Sequence, residues 1–325
     1  LDFAGDGLLN VTVDEGTIDA LVENHQLIRA NGGQVMMTAN ATNALLQTVV
    51  NNTGVIEAQT LENQNGTIVL KGGFNGGTVN VAGTLDASAP DSGDGGFIDT
   101  SGANVKVAGG THVTTKANNG TTGEWLIDPT DFTISAGSDA LTDSGIGAAT
   151  LSANLEDNNI TLATIEAGTD AGDIHVDAAV SWNADHTLSL KAHNDIHINQ
   201  AITATNGGLT LDAVGAISAD GAVNVDTFNL QRGAWSQLGS SLANFSAGDF
   251  RLNTANASFI RALGGDGAAS SPYQLTDIYG VQGFASHSLL DSHLVLVNDI
   301  DASGTANWNA GAGYLPIGTL GTYFT

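Results

Sequence analysis

Residues 172–193 read GDIHVDAAVSWNADHTLSLKAH, and residues 194–214 start the same pattern again as NDIHINQAITATNGGLTLDAV. The triplet Asp-Ile-His at positions 173–175 recurs at positions 195–197, which is an offset of 22 residues. A weaker third copy, GAISADGAVNVDTFNL, begins at Gly215. A repeat of this length is typical of one coil of a parallel β-helix, and such coils must stack because one coil cannot bury its own apolar face.

Apolar and polar residues alternate inside these copies, which is the pattern of strands with one buried face. The apolar members, which we expect to face the interior, are Ile174, Val176, Ile196 and Ile198. The same alternation occurs at positions 78–81, 104–107, 186–190 and 208–211. Turn pairs such as Asn-Gly and Gly-Gly separate the runs. We therefore predict an all-β chain that forms a right-handed parallel β-helix (solenoid) with short helical and loop excursions.

The N-terminal part repeats at a longer spacing. Residues 54–58 (GVIEA) and 83–87 (GTLDA) match at an offset of 29 residues, which indicates a coil with a longer loop. With coils of about 22 to 25 residues and a rise of about 4.8 Å for each coil, we expect about 13 coils and a rod roughly 60 to 70 Å long.

The composition agrees with a stacked solenoid. Charged residues make up only 13% of the chain, and outward like charges one rung apart would repel each other. The net charge of −26 argues against nucleic acid or an anionic membrane as a partner, because no Lys/Arg cluster is available to neutralise phosphates. The chain has no cysteine, which favours a secreted or bacterial cell-surface protein over a cytosolic enzyme.

Three segments interrupt the strand pattern. Residues 123–135 form an apolar run that Pro129 ends, and residues 147–156 have the leucine spacing of a short helix. Residues 276–290 carry apolar side chains at helical spacing after Thr276, a candidate N-cap. We expect both helices to lie against the rod as excursions.

Several of these stretches resemble large bacterial exoproteins of the filamentous haemagglutinin type, which are exported by two-partner secretion. They are GEWLIDPTDFTIS (123–135), ATLSANLEDNNITLAT (149–164) and the GDIHVDAAVSW type of repeat. Residues 264–283 and 294–325 resemble the start of a GLUG-type module. The resemblance implies an adhesin, with an outer-membrane two-partner transporter as a partner through a region not in this chain.

We predict four regions along the chain. Residues 1–135 form irregular coils that end in the WLIDP segment, residues 136–165 a short helical excursion, and residues 166–250 regular coils of about 22 residues. Residues 251–325 form the truncated start of the GLUG-like module, with a helix. We expect no membrane insertion, because no apolar run approaches 18 residues, and we interpret the sequence as a fragment of a longer polypeptide.

The repeat also aligns side chains that could bind a metal. His175 and His197, with Asp173 and Asp195, would stack on one outward face, and imidazoles and carboxylates are donors that Zn²⁺ accepts. The alternative is a solvated ladder of outward polar residues. We favour the ladder because metal ligation requires side chains that converge rather than run parallel. The expectation is therefore that the chain has no metal-binding residue.

Other candidate sites have simpler explanations. The acidic turns at 91–96 and 264–267 are similar to Ca²⁺-binding turns, but neither repeats, so we expect plain surface turns. Asn-X-Ser/Thr sequons arise by chance in a chain rich in these residues, although they are conceivable modification sites. The eight sequons start at Asn10, Asn40, Asn51, Asn65, Asn119, Asn159, Asn244 and Asn256. We expect the four tryptophans to pack in the core or under loops.

Enzymes also use this fold. Polysaccharide hydrolases need two Asp residues on adjacent strands beside a Lys or Arg, and lyases need a basic residue with acidic Ca²⁺ ligands. The chain has no Asp-Asp pair, and its eight basic residues are scattered. We therefore expect no enzymatic activity, no catalytic residue and no cofactor.

The favoured function is that of a stalk or binding segment in a large secreted adhesin, used for surface attachment or biofilm formation. Its partner would be a host or bacterial surface receptor or a glycan, contacted through loops such as 86–96 and 136–147. The alternatives are a polysaccharide-active enzyme, the stick of a secreted cytolysin or contact-dependent toxin, and a host haem-carrier binding exoprotein.

Overall fold

A computed structural model describes residues 2–4, 8–13, 21–39, 48–62, 64–166 and 170–318. The first half of this part of the chain contains strands β1 (Asp2–Ala4), β2 (Leu8–Val13), β3 (Leu21–Asn24), β4 (Leu27–Arg29), β5 (Gln34–Ala39), β6 (Val49–Asn52), β7 (Val55–Glu57), β8 (Thr67–Gly72), β9 (Thr78–Val81), β10 (Thr84–Asp86), β11 (Phe97–Ser101), β12 (Asn104–Val107), β13 (His112–Thr114), β14 (Glu124–Asp128), β15 (Phe132–Ser135) and β16 (Gly145–Gly147).

The second half begins with a helix and continues with longer strands. Its elements are α1 (Ala148–Asn154), β17 (Asn159–Ala163), β18 (Ile174–Val176), β19 (Val180–Trp182), β20 (Thr187–Ala192), β21 (Ile196–Ile198), β22 (Ile202–Ala219), β23 (Val223–Leu238), β24 (Phe245–Leu252), β25 (Ala257–Ala262), β26 (Tyr273–Leu275), α2 (Ile278–Gly283), β27 (Leu294–Leu296) and α3 (Trp308–Gly311), with 3₁₀ turns at His287–Leu289 and Ser303–Asn307.

The strands wind into coils with three faces. Each coil starts on face 1, as β3, β6, β9 and β12 do, passes face 2 and ends on face 3, and equivalent strands of successive coils pair in parallel. Face 2 contains β4, β7, β10 and β13, and face 3 contains β5, β8, β11, β14, β17 and β20. From β22 onward one strand bends through several faces. The predicted all-β parallel β-helix is confirmed.

The registers reproduce the sequence repeat but not its regular length. Ile174 pairs with Ile196 at the expected 22-residue offset, and Val55 pairs with Thr84 at the expected 29. On face 3, however, Glu124 pairs with Asn159, 35 positions later, whereas Leu209 pairs with Phe228 after only 19. The coils are therefore longer on average than predicted. Nine full coils from β3 to β24, at about 4.8 Å each, give a stack of roughly 40 to 45 Å instead of 60 to 70 Å.

The interior of the stack is one continuous apolar core. It runs from Val22 to Trp308 and contains the alternate residues of every face. Ile174, Ile196 and Ile217 are in register on face 1 and are completely buried. The predicted orientation of the repeat is therefore confirmed. Near the C-terminal end the core becomes aromatic, because Phe228 stacks on Phe250 and Trp235 stacks on Phe259.

Close contact between coils requires glycine at the corner before face 3. A Cβ at Gly66 would lie 1.3 Å from the carbonyl oxygen of Ala58, and one at Gly123 would lie 1.9 Å from that of Gly96. A buried asparagine ladder occupies the corner after face 1, where Asn24 Nδ2 donates to Asn52 Oδ1 at 2.8 Å. Small residues and paired amides thus let the backbone turn without leaving polar groups unpaired.

Helix α1 takes the place of a strand on face 2. The predicted helix at 147–156 is confirmed, but it lies between β13 and β19 in the stack rather than against the outside of the rod. The amide of Asn154 accepts from Val113 N at 2.7 Å and donates to Thr111 O at 2.9 Å. The amide of Asn158 accepts from Thr115 N and donates to Val113 O. These two side chains therefore bind the edge of β13 as a strand backbone would.

The opposite side of α1 satisfies the next coil in the same way. Ser152 Oγ accepts from Ser181 N at 3.0 Å, and the Glu156 carboxylate accepts from the backbone N–H groups of Asn183 and Ala184. Since a buried strand edge without partners costs free energy, these contacts explain how the stack continues across a helix.

The C-terminal segment closes the end of the core. Tyr279 of α2 hydrogen-bonds to both backbone groups of Ala247, and Trp308 is buried against Phe250 and Tyr279. The helix predicted at 276–290 is shorter than expected. It is capped by Asp277, whose Oδ1 accepts from Gly280 N, and not by Thr276. The closer aspartate side chain reaches the first free N–H, which ends the competition.

Replacing an inward residue should destabilise the fold far more than replacing its outward neighbour. Ile196→Asp places a carboxylate in the dry stack between Ile174 and Ile217 and should cost about 4 kcal/mol or more. His197→Ser removes a half-buried outward ring and should cost about 1 kcal/mol. Thermal unfolding followed by circular dichroism compares the two variants. Equal melting temperatures would contradict this orientation.

Loss of one helix amide should also destabilise the fold. Asn154→Ala leaves Val113 N and Thr111 O without their partner, which should cost about 2 to 4 kcal/mol. The matched control is Asn118→Ala, which removes an exposed amide that donates to Pro90 O and should cost less than about 1 kcal/mol. Melting temperatures measure both, and similar losses would show that Asn154 does not replace a strand.

Candidate functional site

One group of potential metal donors comes together on face 1. Asp173, His175 and His197 each place a donor atom within 4.8 Å of the others, and all three are half-buried. Within the described parts of the chain, no other three His, Cys, Asp or Glu residues do so. His175 and His197 are in register on β18 and β21, and their rings stack at 4.7 Å between centroids.

Hydrogen bonds hold this group in place. Asp173 Oδ1 accepts from Asn194 Nδ2 at 2.8 Å and from Asp195 N at 3.0 Å. His197 Nδ1 lies 3.0 Å from Ser218 Oγ on the next rung. The fourth residue of the sequence hypothesis, Asp195, is outside the group, and its Oδ1 accepts from Ala216 N. The repeat therefore aligns three of the four side chains as a compact cluster.

A second cluster lies on face 3 and was missed in the sequence. Asp99 on β11 and Asp128 on β14 belong to neighbouring rungs, and Lys71 lies on the rung before them in register with Ser101 and Asp128. Asp128 Oδ1 is buried without a hydrogen-bond partner. Asp99 accepts from the hydroxyl of Ser101. Although the chain has no Asp-Asp dipeptide, folding places two carboxylates and an ammonium group close together.

Burial perturbs both carboxyl groups. Burial raises the pKa of Asp99, and the Ser101 hydrogen bond and the Lys71 charge act against that shift. Burial, with the negative charge of Asp99, raises the pKa of Asp128 to about 6 despite the nearby Lys71. The pair therefore takes up protons at a pH where exposed carboxylates remain ionised. This coupling depends on a 29-residue separation that no local motif displays.

The two acidic turns behave as surface turns. Asp94 Oδ1 accepts from Thr121 N of the adjacent coil, and Asp266 Oδ1 accepts from Ala268 N. Both carboxylates thus stabilise backbone turns.

Four of the predicted sequons have exposed asparagines. These are Asn65, Asn119, Asn244 and Asn256. Asn51 and Asn159 are half-buried and donate to Glu23 and to backbone carbonyl groups. The side chains of Asn10 and Asn40 lie outside the described residues. The exposed positions therefore remain the accessible ones for any modification.

The loop at 136–147 projects from face 1 as predicted. Leu141 is 71% exposed, and Asp139 accepts from Gly109 N at 2.6 Å. A groove of about 280 Å³ beside the loop is lined by residues that include Lys106, Asp139 and Asn80. All four tryptophans are buried in the core, as expected. The longest helix in the described residues has seven residues, so none of these helices is long and apolar enough to cross a membrane.

Removing the Asp128 charge should stabilise the fold only at neutral pH. A carboxyl group whose pKa is raised by folding loses stability as the pH rises through about 6, because the native state must then release a proton. Asp128→Asn should therefore raise the stability at pH 7.5 by about 1 kcal/mol, after allowance for partial exposure, and change it little at pH 4. Melting temperatures at both pH values test this, with exposed Asp185→Asn as control. A pH-independent difference would contradict it.

Comparison of the chain with protein-family models, with curated proteins and with solved structures gave no match. The chemistry of the described residues is therefore the basis on which a function has to be argued. The features available for that argument are the rigid stack, the outward polar ladders, the carboxylate pair on face 3 and the His/Asp group on face 1.

Proposed function

We propose that this chain is a structural stalk segment of a secreted bacterial adhesin, of the filamentous haemagglutinin type that its sequence resembles. The observation that carries the proposal is the unbroken stack, in which parallel ladders enclose one core from Val22 to Trp308. Each coil is hydrogen-bonded along its strands to the coils before and after it, so the stack resists bending. A stiff spacer that holds other domains away from a cell surface needs this property.

The outward ladders support the same function. Rows of hydroxyl and amide side chains, such as Thr161, Ser189 and Thr210 on face 3, lie one rung apart without repelling each other. The net charge of −26 favours solubility outside the cell and disfavours adhesion to phosphate-rich surfaces. Contact with a receptor or glycan would occur at the projecting loop at 136–147. Export by a two-partner transporter follows from the same proposal, through a region outside this sequence.

The carboxylate pair favours one alternative, a polysaccharide-active enzyme. Asp128, with its pKa raised to about 6, would be a general acid, Asp99 a second carboxylate, and Lys71 a nearby cation. A buried, imperfectly solvated pair inside a stalk would show the same pKa shift. Because perturbed carboxylates occur in structural networks as well as in active sites, activity has to be measured.

The stalk proposal predicts that the purified chain leaves pectin, polygalacturonate and common glycans uncut, with or without Ca²⁺. The measurement is the release of reducing or unsaturated sugar ends over time. Asp99→Asn and Asp128→Asn should give the same baseline as the parent chain, as should the control Asp185→Asn. Sugar release that either pair variant abolishes and the control retains would establish the enzyme and overturn the stalk.

A further inference from the structure

We propose that Asp173, His175 and His197 bind a divalent transition-metal ion of the Zn²⁺ class on face 1. Two imidazole nitrogens and one carboxylate oxygen form a donor set that Zn²⁺ accepts, with a fourth position left for water. All three donor atoms lie within 4.8 Å of one another before any ion is bound. This proposal is independent of the stalk function.

The fold converges these donors from two adjacent rungs. Asp173 and His175 are two residues apart in the outward row that leads into β18, and His197 is the register partner of His175 on β21. A triangle therefore forms, in which Asp173 supplies the donor that the two parallel rings lack. The expectation that outward side chains only run parallel overlooked this i, i+2 contribution.

Hydrogen bonds fix the donors as supporting residues do in metal sites. Asp173 Oδ1 is occupied by Asn194 Nδ2 and Asp195 N, which leaves Oδ2 to face the ion. When His197 Nδ1–H donates to Ser218 Oγ, its Nε2 carries the lone pair that a metal needs. Asp131 Oδ1 accepts from Gly172 N and Asp173 N and thereby anchors the backbone of the carboxylate ligand.

The adjustment needed for binding is small. Two nitrogens at about 2.0 to 2.1 Å from a tetrahedral Zn²⁺ lie about 3.4 Å apart, so donors as far as 4.8 Å apart must approach by roughly 1.4 Å. Splaying the stacked rings, now 12° from parallel, about their side-chain torsions achieves this without moving a strand. The half-buried position leaves the rings room to turn and gives the ion access from solvent.

The donor set also selects among ions. Imidazole nitrogen suits Zn²⁺, Ni²⁺ and Cu²⁺, whereas Ca²⁺ and Mg²⁺ require sets of oxygen donors that three residues with two imidazoles do not supply. Bound metal would join two successive coils at the start of the regular repeat. It would therefore stabilise the stack as well as offer an open coordination position to a partner.

The experiment titrates the chelator-treated chain with ZnCl₂ by calorimetry. One Zn²⁺ should bind per chain, and saturating Zn²⁺ should raise the melting temperature by about 2 to 5 °C. His175→Ser, His197→Ser and Asp173→Asn should each weaken binding about tenfold or more. The matched control is His112→Ser, because His112 is also an outward strand histidine but lies on β13, away from the group, and it should bind Zn²⁺ unchanged.

Imidazole NMR of the unaltered chain provides a test that does not depend on variants. Of the eight histidines, only His175 and His197 should change their ring resonances when Zn²⁺ is added, and an equal concentration of Ca²⁺ should leave all eight unchanged. The proposal is overturned if the parent chain shows no saturable Zn²⁺ binding, if the site variants bind as well as the control, or if other histidines respond instead.

Discussion

Parallel hydrogen bonding between coils in register is the constraint on which the rest of this structure depends. It places each outward side chain about 4.8 Å from its equivalents on the coils before and after it. Inside, that spacing stacks identical apolar residues, as with Ile174, Ile196 and Ile217. Outside, it limits charge, because ionised groups in one row would repel each other, and it explains why uncharged polar residues dominate the ladders.

The same constraint makes any interruption costly, and helix α1 shows how it is met. A helix cannot offer a free edge of backbone N–H and C=O groups, since its own hydrogen bonds use them. Asn154 and Asn158 supply the missing donors and acceptors to β13, and Glu156 does so for the following coil. A side-chain amide has one acceptor and a donor pair, which makes asparagine the natural substitute for a peptide group.

Much of the fold could be predicted because period-2 alternation and the 22-residue repeat are local signals. Ile196 and His197 point as their sequence pattern indicates, and the helix at α1 was recognisable from Leu151 and Leu155. The number of coils was not predictable, because the loop lengths between registers vary and only tertiary pairing sets them. The insertion of α1 into the stack was hidden for the same reason: its partners, Thr111 and Val113, lie 43 and 41 residues before Asn154.

The two clusters separate what the sequence reveals from what it conceals. His175 and His197 belong to identical positions of a visible repeat, so their stacking follows from the register alone. Asp99 and Asp128 belong to coils without such identity, and Lys71 to a third, so only the folded chain brings their charges together. A solenoid thus builds sites by adding one side chain per coil, and a coil can gain or lose a donor without changing the core. That freedom allows a rigid stack to carry a metal site on one face and a proton-binding pair on another.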